Sequence, residues 1–554
     1  MPIKNKNLPY FIGCCLTLII GLSACNKTLE SEPLEDIPLN LVFDSQDSLG
    51  TNAQAFLYNI YGYLPTGYNR INGNVLDAGD DDAIPNATNQ AAEYFSLGQI
   101  TPYTLPDNLW DTCYSAIRNV NIFLANINVV PLNLVGQKDQ WKAEARILRA
   151  ISYFELIKRW GGVPLIGDKV YSANDKITNS RNSFSDCVSY ISAQIDSAKP
   201  YLPLSYSSTY FGRITKGAAL ALKSRLLLYA ASPLNNPSND LTKWQAAAAA
   251  ADSVINMGTY SLVTGTAGVG FYNVFVTRSN TEVILAHYTA PSSTVEKSNG
   301  PVGSARGDLG LTNPTQELVD EFEMANGKLI TDPTSGYSAS NPYANRDPRL
   351  ANTVFYNGQS WLGRTVQTYD GGIDRPSGYG NATSGQTRTG YYMRKMLSTG
   401  GSTTAYVNAE HDFPIIRYAE ILLNYAEAQN EAVGPDATVY SAINLIRARA
   451  GLSPSALPAG LSQADMRTRI RHERRVELAF EQQRFWDIRR WNIAGTVLNG
   501  QLHGMQIILN SNNTFTYNIV NADAVTFDAT KMNLYPIPYN EVITDPNLTQ
   551  NPNW

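Results

Sequence analysis

Residues 138–165 read KDQWKAEARILRAISYFELIKRWGGVPL. Ile147, Leu148, Ile151, Phe154 and Ile157 recur at the offsets of one helix face, and Trp160-Gly161-Gly162-Val163-Pro164 stops the run. The spacing predicts a helix over 138–160. The same grammar returns at 213–231, where Ala219, Leu222, Leu226 and Tyr229 share a face and Ser232-Pro233 closes the stretch. Residues 242–257 follow with Trp244, Ala248, Ala251 and Ile255 inside the alanine run 246–251, so the two stretches are expected to pack as a close αα-hairpin. A second pair is read at 414–432 and 437–450. Ile415, Tyr418, Leu422 and Ala426 face Val439, Ile443, Ile446 and Ala450 across the turn Gly434-Pro435-Asp436. A last long helix starts at Ser462, where Ser462-x-x-Asp465 has the form of a cap.

Paired amphipathic helices on short turns are what tetratricopeptide-type repeats look like, although the signature of that repeat is absent. The expected fold class is therefore mainly α, tetratricopeptide-like helix pairs forming a scaffold, with long irregular loops and a few short strands. Within 258–312, Phe271 to Val276 and Val283-Ile284-Leu285 read as core strand. Residues 356–405 hold ten Gly together with Trp361, Tyr369, Tyr379, Tyr391 and Tyr392, and a loop that long and that aromatic argues for function.

Composition narrows the function classes. The 554 residues can bury a large core, and 43% apolar side chains argue against disorder. Lys+Arg number 43 against 48 Asp+Glu, a formal charge of -5, and only 16% of residues are charged; a nucleic-acid binder of this size is expected to run basic. Tyr is over-represented, at 32 against 17 Phe and 8 Trp, and rings with a hydroxyl suit half-wet surfaces.

The first residues set the compartment. Lys4 and Lys6 precede an apolar run from Phe11 to Leu22, too short to span about 30 Å of hydrocarbon as a helix. It reads as a secretion signal. Leu22-Ser23-Ala24-Cys25 resembles a bacterial lipobox, which implies cleavage before Cys25 and acylation of its sulfur. The expected organisation is a signal peptide at 1–24, a lipid-anchored tether at 25–40 made acidic by Glu30, Glu32, Glu35 and Asp36, an N-terminal part at 41–310 and a C-terminal part at 311–554, the two parts packed as one globular body. Removing Lys4 and Lys6 takes the formal charge from -5 to -7. Of the remaining thiols, Cys113 and Cys187 either pair or stay free.

The run from Arg467 to Arg490 carries eight Arg against Glu473, Glu477, Glu481 and Asp487, and reads as an ion-paired helix with contacts such as Glu481 to Arg484. Asp77, Asp80, Asp81 and Asp82 form an acidic run. Asp80, Asp81 and Asp82 are a weak Ca²⁺ candidate, but the EF-hand order is missing and a solvated or helix-capping loop is favoured. His287, His411, His472 and His503 are scattered without a metalloprotease motif, and Ser304 lies outside a nucleophile-elbow pattern. No enzyme chemistry, metal or cofactor is expected.

Five segments together carry a resemblance. Glu144-Ala145-Arg146-Ile147-Leu148-Arg149-Ala150 leads to Trp160-Gly161-Gly162-Val163-Pro164-Leu165. Lys216-Gly217-Ala218-Ala219 leads through Arg225-Leu226 to Ser232-Pro233-Leu234, and Arg417-Tyr418-Ala419-Glu420 through to Tyr425-Ala426-Glu427-Ala428. Glu473-Arg474-Arg475-Val476-Glu477-Leu478 is followed by Arg484-Phe485-Trp486-Asp487-Ile488-Arg489-Arg490, and the tail has Tyr535-Pro536-Ile537-Pro538 with Asn547 to Pro552, Asn553 standing where Gly is usual. In this order they resemble the SusD/RagB family of nutrient-uptake lipoproteins of Bacteroidetes. The resemblance implies a lipoprotein on the outer face of the cell outer membrane, a lid over a SusC-like TonB-dependent transporter, capturing oligosaccharide, or in some members peptide, without cleaving it.

The family's ligand residues vary and leave no motif to carry over, so candidates come from the loops. Sugar rings stack on aromatic faces while their hydroxyls bond to amides and charged groups. Tyr68, Asn69, Tyr94 and Tyr103 are chosen in the first long loop, and Tyr288, Trp361, Tyr369 and Tyr379 in the later ones, with Trp361→Ala or Tyr369→Ala expected to weaken binding while the fold survives. Trp110 and Tyr114 are expected in the core. A surface glycan- or peptide-hydrolase, a peptide-uptake lid, and Tyr-rich loops that contact the barrel rather than a ligand are the alternatives.

Overall fold

The computed structural model describes residues 38–172, 175–176, 178–207, 210–375 and 386–554. The signal run, Cys25, the tether up to residue 37, and Tyr379 lie outside the described residues.

Eleven helices of the fold are α1 (Thr51–Tyr61), α2 (Trp110–Asn126), α3 (Gln137–Trp160), α4 (Phe184–Ala198), α5 (Lys216–Ala231), α6 (Leu241–Ile255), α7 (Val269–Val276), α8 (Tyr418–Val433), α9 (Ala437–Ala450), α10 (Gln463–Glu477) and α11 (Gln483–Arg490). The quoted stretch forms α3. It stops where predicted: Gly161 takes φ +72, a conformation costly for a side chain, and donates its N–H to Ile157 O at 3.0 Å. α3 lies between α2 and α4 and is buried around most of its circumference. Its charged side chains therefore need partners. Glu144 accepts from Arg213 at 2.6 Å, and Arg159 pairs with Asp107 at 2.8 Å and Glu155 at 2.7 Å.

α5 and α6 pair as a hairpin, and α8 packs on both. Trp244, Ala247 and Ala248 of α6 meet Leu228 and Ala231 of α5 and Ala428 and Ala432 of α8, and the alanines let the three helices approach closely. Asp436 caps α9 through the N–H groups of Thr438 and Val439, at 2.9 and 3.1 Å. Ser462 caps α10 through Asp465 N–H at 3.1 Å. One hydrophobic cluster runs from Phe43 to Leu548 and takes in α2 to α5 with the tail, while a second gathers around Phe355, Trp361, Tyr391 and Tyr392. Cys113 and Cys187 are both free and buried. Among the described residues no helix is long and apolar enough to cross a membrane.

Several elements differ from the sequence expectation. Residues 414–417 are strand, because Phe413–Arg417 pairs antiparallel with Val283–His287, His287 opposite Phe413. The β-branched Ile415-Ile416 suit that extended pairing, so α8 begins at Tyr418. Conversely, Phe271 to Val276 is helix α7, with Phe271, Val274 and Phe275 buried at helical spacing; Val283–His287 is strand as expected.

The Arg-rich segment is broken rather than continuous. Between α10 and α11, Phe480 and Gln482 take φ +61 and +63, and the carboxylate of Asp77 accepts their N–H groups at 3.0 and 3.2 Å. The acidic run is thus buried, not solvated. Arg484 donates to both oxygens of Asp81, at 2.8 and 2.6 Å, and Arg475 pairs with Asp81 at 3.0 Å and Asp82 at 2.7 Å. Burial pushes the Asp81 carboxyl up, but the two guanidinium charges outweigh it and hold it at about 2. The oxygens of Asp80, Asp81 and Asp82 lie within 4.8 Å of one another, yet arginines already neutralise two of the three, which suits an ion-pair network better than the free carboxylates a Ca²⁺ site uses. Glu481 does not meet Arg484. It pairs with Lys395 and with Arg417, each at 2.7 Å, and Arg417 also reaches Glu282 and Glu477. Pairing within the segment is kept at Asp487, which meets Arg490 at 2.8 Å and Arg474 at 2.6 Å, and is joined to a buried lattice drawn from distant segments.

Candidate ligand-binding surface

The loops between α4 and α5, after α7 and before α8 converge on the ring of Tyr288. Gly212 makes the approach possible: its φ is +92, and a Cβ there would lie 2.5 Å from Tyr288 Cε2. Phe211 meets the ring edge-on at 5.1 Å, and the exposed guanidinium of Arg278 lies 5.4 Å from its centroid. Arg278 is held in a fork, donating to Asp412 at 2.8 and 3.0 Å and to Glu410 at 2.8 Å. Hydrogen bonding to Asp412 is the main cause that raises its pKa and keeps it charged. Tyr68 stands behind the fork, edge-on to His411 at 5.6 Å and to Phe413 at 5.2 Å, its hydroxyl donating to Asp412 O at 3.4 Å.

The exposed ribbon 401–405 leads to a second ring. Tyr406 donates its hydroxyl to Asp308 Oδ2 at 3.0 Å, and Arg306 lies 4.9 Å above it while pairing with Asp308 at 3.2 Å. Ser304 donates to the same carboxylate at 2.7 Å. Burial raises the pKa of Asp308, the hydrogen bonds opposing. The ribbon is pinned by the Ser292–Ala409 bridge and by His411 on Glu296 at 2.9 Å. Five residues separate Tyr406 from Asp412, so the Cα atoms of these two lie at most about 22 Å apart. Ring faces edged by fixed carboxylates and guanidiniums offer stacking and charge-assisted hydrogen bonds.

Of the sequence candidates, Tyr68 and Tyr288 are brought together on the 410–413 segment. Asn69 follows with φ +49 and a buried side-chain oxygen. Trp361 faces the interior, only 2% exposed and edge-on to Phe355 at 4.8 Å. Tyr369 is half-buried against Phe515 of the hairpin Gly500–Leu509/Phe515–Val525. Tyr94 is half-buried on the core, and Tyr103, 73% exposed, lies against Tyr539 at 4.4 Å, away from the ring sites. Arg278, Asp412, Phe211, Tyr406 and Asp308 were missed. The acid pair of Glu410-His411-Asp412 just before a strand and the Phe211-Gly212 dipeptide were the available signals, each too common to stand out.

The chain belongs to the SusD family: that family's model matches residues 281–554, and a second model, described as starch-binding associating with outer membrane, matches residues 29–228. SusD-like protein P2 of Formosa agariphila is 24% identical, covering 97% of this chain and 98% of its own. A solved SusD-like protein from Bacteroides fragilis is 27% identical with a TM-score of 0.79, covering 94% of this chain and all of its own. A SusD-like carbohydrate binding protein from the same species is 25% identical with a TM-score of 0.76, covering 91% of this chain and 99% of its own.

Proposed function

We propose that the protein is an outer-membrane lipoprotein, anchored through Cys25 and facing the exterior, that captures oligosaccharide on the Tyr288 and Tyr406 surface. It hands the ligand uncleaved to a SusC-like TonB-dependent transporter. The observation that carries the ligand site is the Tyr288 ring, backed by Gly212 and edged by Arg278 in its fork of Asp412 and Glu410. Such a surface stacks on the flat face of a sugar and meets its hydroxyls with charge-assisted bonds. The solved relative described as carbohydrate binding, and the family model described as starch-binding at the outer membrane, support the ligand class and the compartment. The low charge of the chain fits a neutral ligand.

A glycan array probed with the chain lacking residues 1–25, followed by calorimetry on the best hit with Tyr288→Ala, tests the site. Binding lost in Tyr288→Ala with an unchanged melting temperature supports it. Sustained release of reducing ends from the hit would make the protein a hydrolase, and binding of peptides instead of glycans would replace the ligand class.

A further inference from the structure

A cavity lies elsewhere among the described residues, between the N-terminal half of α2, the segment from Pro164 to Tyr171 with Asp175 and Lys176, and the short helix Tyr539–Thr544, with a volume of about 620 Å³. That is within the range of small-ligand sites, about 300–1,000 Å³. Its floor is apolar: Trp110, Tyr114, Ile117 and Leu548. The polar edges of the two rings are already satisfied, Trp110 Nε1 donating to Glu541 at 3.2 Å and the Tyr114 hydroxyl to Pro164 O at 3.0 Å, so the rings offer the cavity their apolar surface.

The rim is charged, with acids in excess at one end and bases in excess at the other. Asp111, Glu541 and Asp545 gather at one end, close enough that burial and then the charge of Asp111 raise the Glu541 pKa. Arg118 and Lys169 gather at the other around Tyr171, Arg118 donating to its carbonyl at 3.4 Å and Lys169 standing 4.0 Å over its ring, against a single acid, Asp175, whose carboxyl is lowered by hydrogen bonds at Ser172 and by the charge of Lys169. Asp111 and Arg118 are exposed and seven residues apart on α2, about 10 Å along its axis at ~1.5 Å per residue. An extended chain advances about 3.3–3.6 Å per residue, so three residues bridge the same span.

We infer that this cavity binds a short peptide with free termini, about three residues long, its ammonium against Asp111 and Glu541 and its carboxylate against Arg118 and Lys169. One side chain lies over Trp110 and Tyr114. A neutral sugar would find rings here too, but would leave the two opposed charge clusters unused. The site shares no residue with the Tyr288 and Tyr406 surface, so it stands or falls separately from glycan capture.

Calorimetry on the full purified chain, with trialanine, N-acetyl-trialanine amide and maltotriose as probes, tests it. Trialanine is expected to bind, the doubly blocked peptide at least tenfold more weakly, and Asp111→Asn and Arg118→Gln each to weaken trialanine at least tenfold while Tyr288→Ala leaves it unchanged. Raised salt weakens the same binding. Ser115→Tyr, which fills the cavity from an exposed lining position, is expected to abolish it, and decides the matter should either charge variant melt differently from the parent. No heat with trialanine, equal binding of the blocked peptide, or maltotriose binding that Ser115→Tyr removes would each overturn the proposal.

Discussion

Arg484 grips both carboxylate oxygens of Asp81, at 2.8 and 2.6 Å, although 403 residues separate them, and neither side chain is exposed. The pair joins the acidic run of the N-terminal part to the Arg-rich segment of the C-terminal part. Removing Asp81 strips Arg484 of its hydrogen-bonded carboxylate, and removing Arg484 leaves Asp81 with Arg475 alone, a loss on the order of 3–5 kcal/mol. Asp81→Asn and Arg484→Gln should each lower stability by that order in urea unfolding, and an Asp81→Leu/Arg484→Met double variant should lose less than either. Millimolar calcium should leave the melting temperature unchanged; a clear rise would return the Asp80–Asp82 cluster to the status of a metal site.

Acid should unfold the protein through its buried carboxylates. Glu427 accepts from Arg490 at 2.6 and 2.7 Å and from Trp491 Nε1 at 2.7 Å. Burial pushes its pKa up, but Arg490 outweighs burial and holds it at about 2, against ~4.3 in the unfolded chain. With the folded value below the unfolded one, the stabilisation is complete above the unfolded value and is lost as pH falls through the folded one. About 3 kcal/mol should therefore disappear between roughly pH 5 and pH 2. Urea midpoints against pH will measure this, and Glu427→Gln should flatten the slope.

The two cysteines should be silent in the native state. Cys113 and Cys187 are buried without a disulfide, and burial pushes the Cys113 thiol up to about 12, far from the reactive thiolate. A thiol reagent added to the chain lacking residues 1–25 should label neither until denaturant is added, then both. Reductant should not move the melting temperature. Labelling of the native protein would mean that α2 or α4 opens on its own.

What the sequence disclosed follows from what is local. α3, α5, α6 and α9, with their stops and caps, were legible because period, Gly, Pro and Asp act within a turn or two of themselves. The break between α10 and α11 was not: it rests on Asp77, some 400 residues away in sequence, accepting the N–H groups that the broken helix leaves free. The acidic run was misread for the same reason, since nothing near it in sequence announces Arg475 and Arg484. Strand Phe413–Arg417 was hidden because its partner lies at Val283–His287. Of the site, Tyr288 and Tyr68 were found as rings in loops, but Arg278 and Asp412 gain meaning only once folding brings them together.

Trp361 and Tyr288 were equal candidates in the sequence, and the structure makes them separable by two measurements. Trp361 is 2% exposed and packed on Phe355, so Trp361→Ala should cost about 3–5 kcal/mol of stability, and any loss of glycan binding should track the unfolded fraction. Tyr288 is half-buried at the surface, so Tyr288→Ala should change stability little while weakening the best glycan about tenfold, some 1.4 kcal/mol. Tyr288→Phe keeps the ring and should retain most of the affinity. Gly212→Ala acts through its neighbour: the strained φ and a Cβ 2.5 Å from the ring force Tyr288 aside, so affinity should fall without any change in a ligand-touching residue. If Gly212→Ala and Tyr288→Ala both bind as the parent does while remaining folded, the Tyr288 surface is not where the glycan sits.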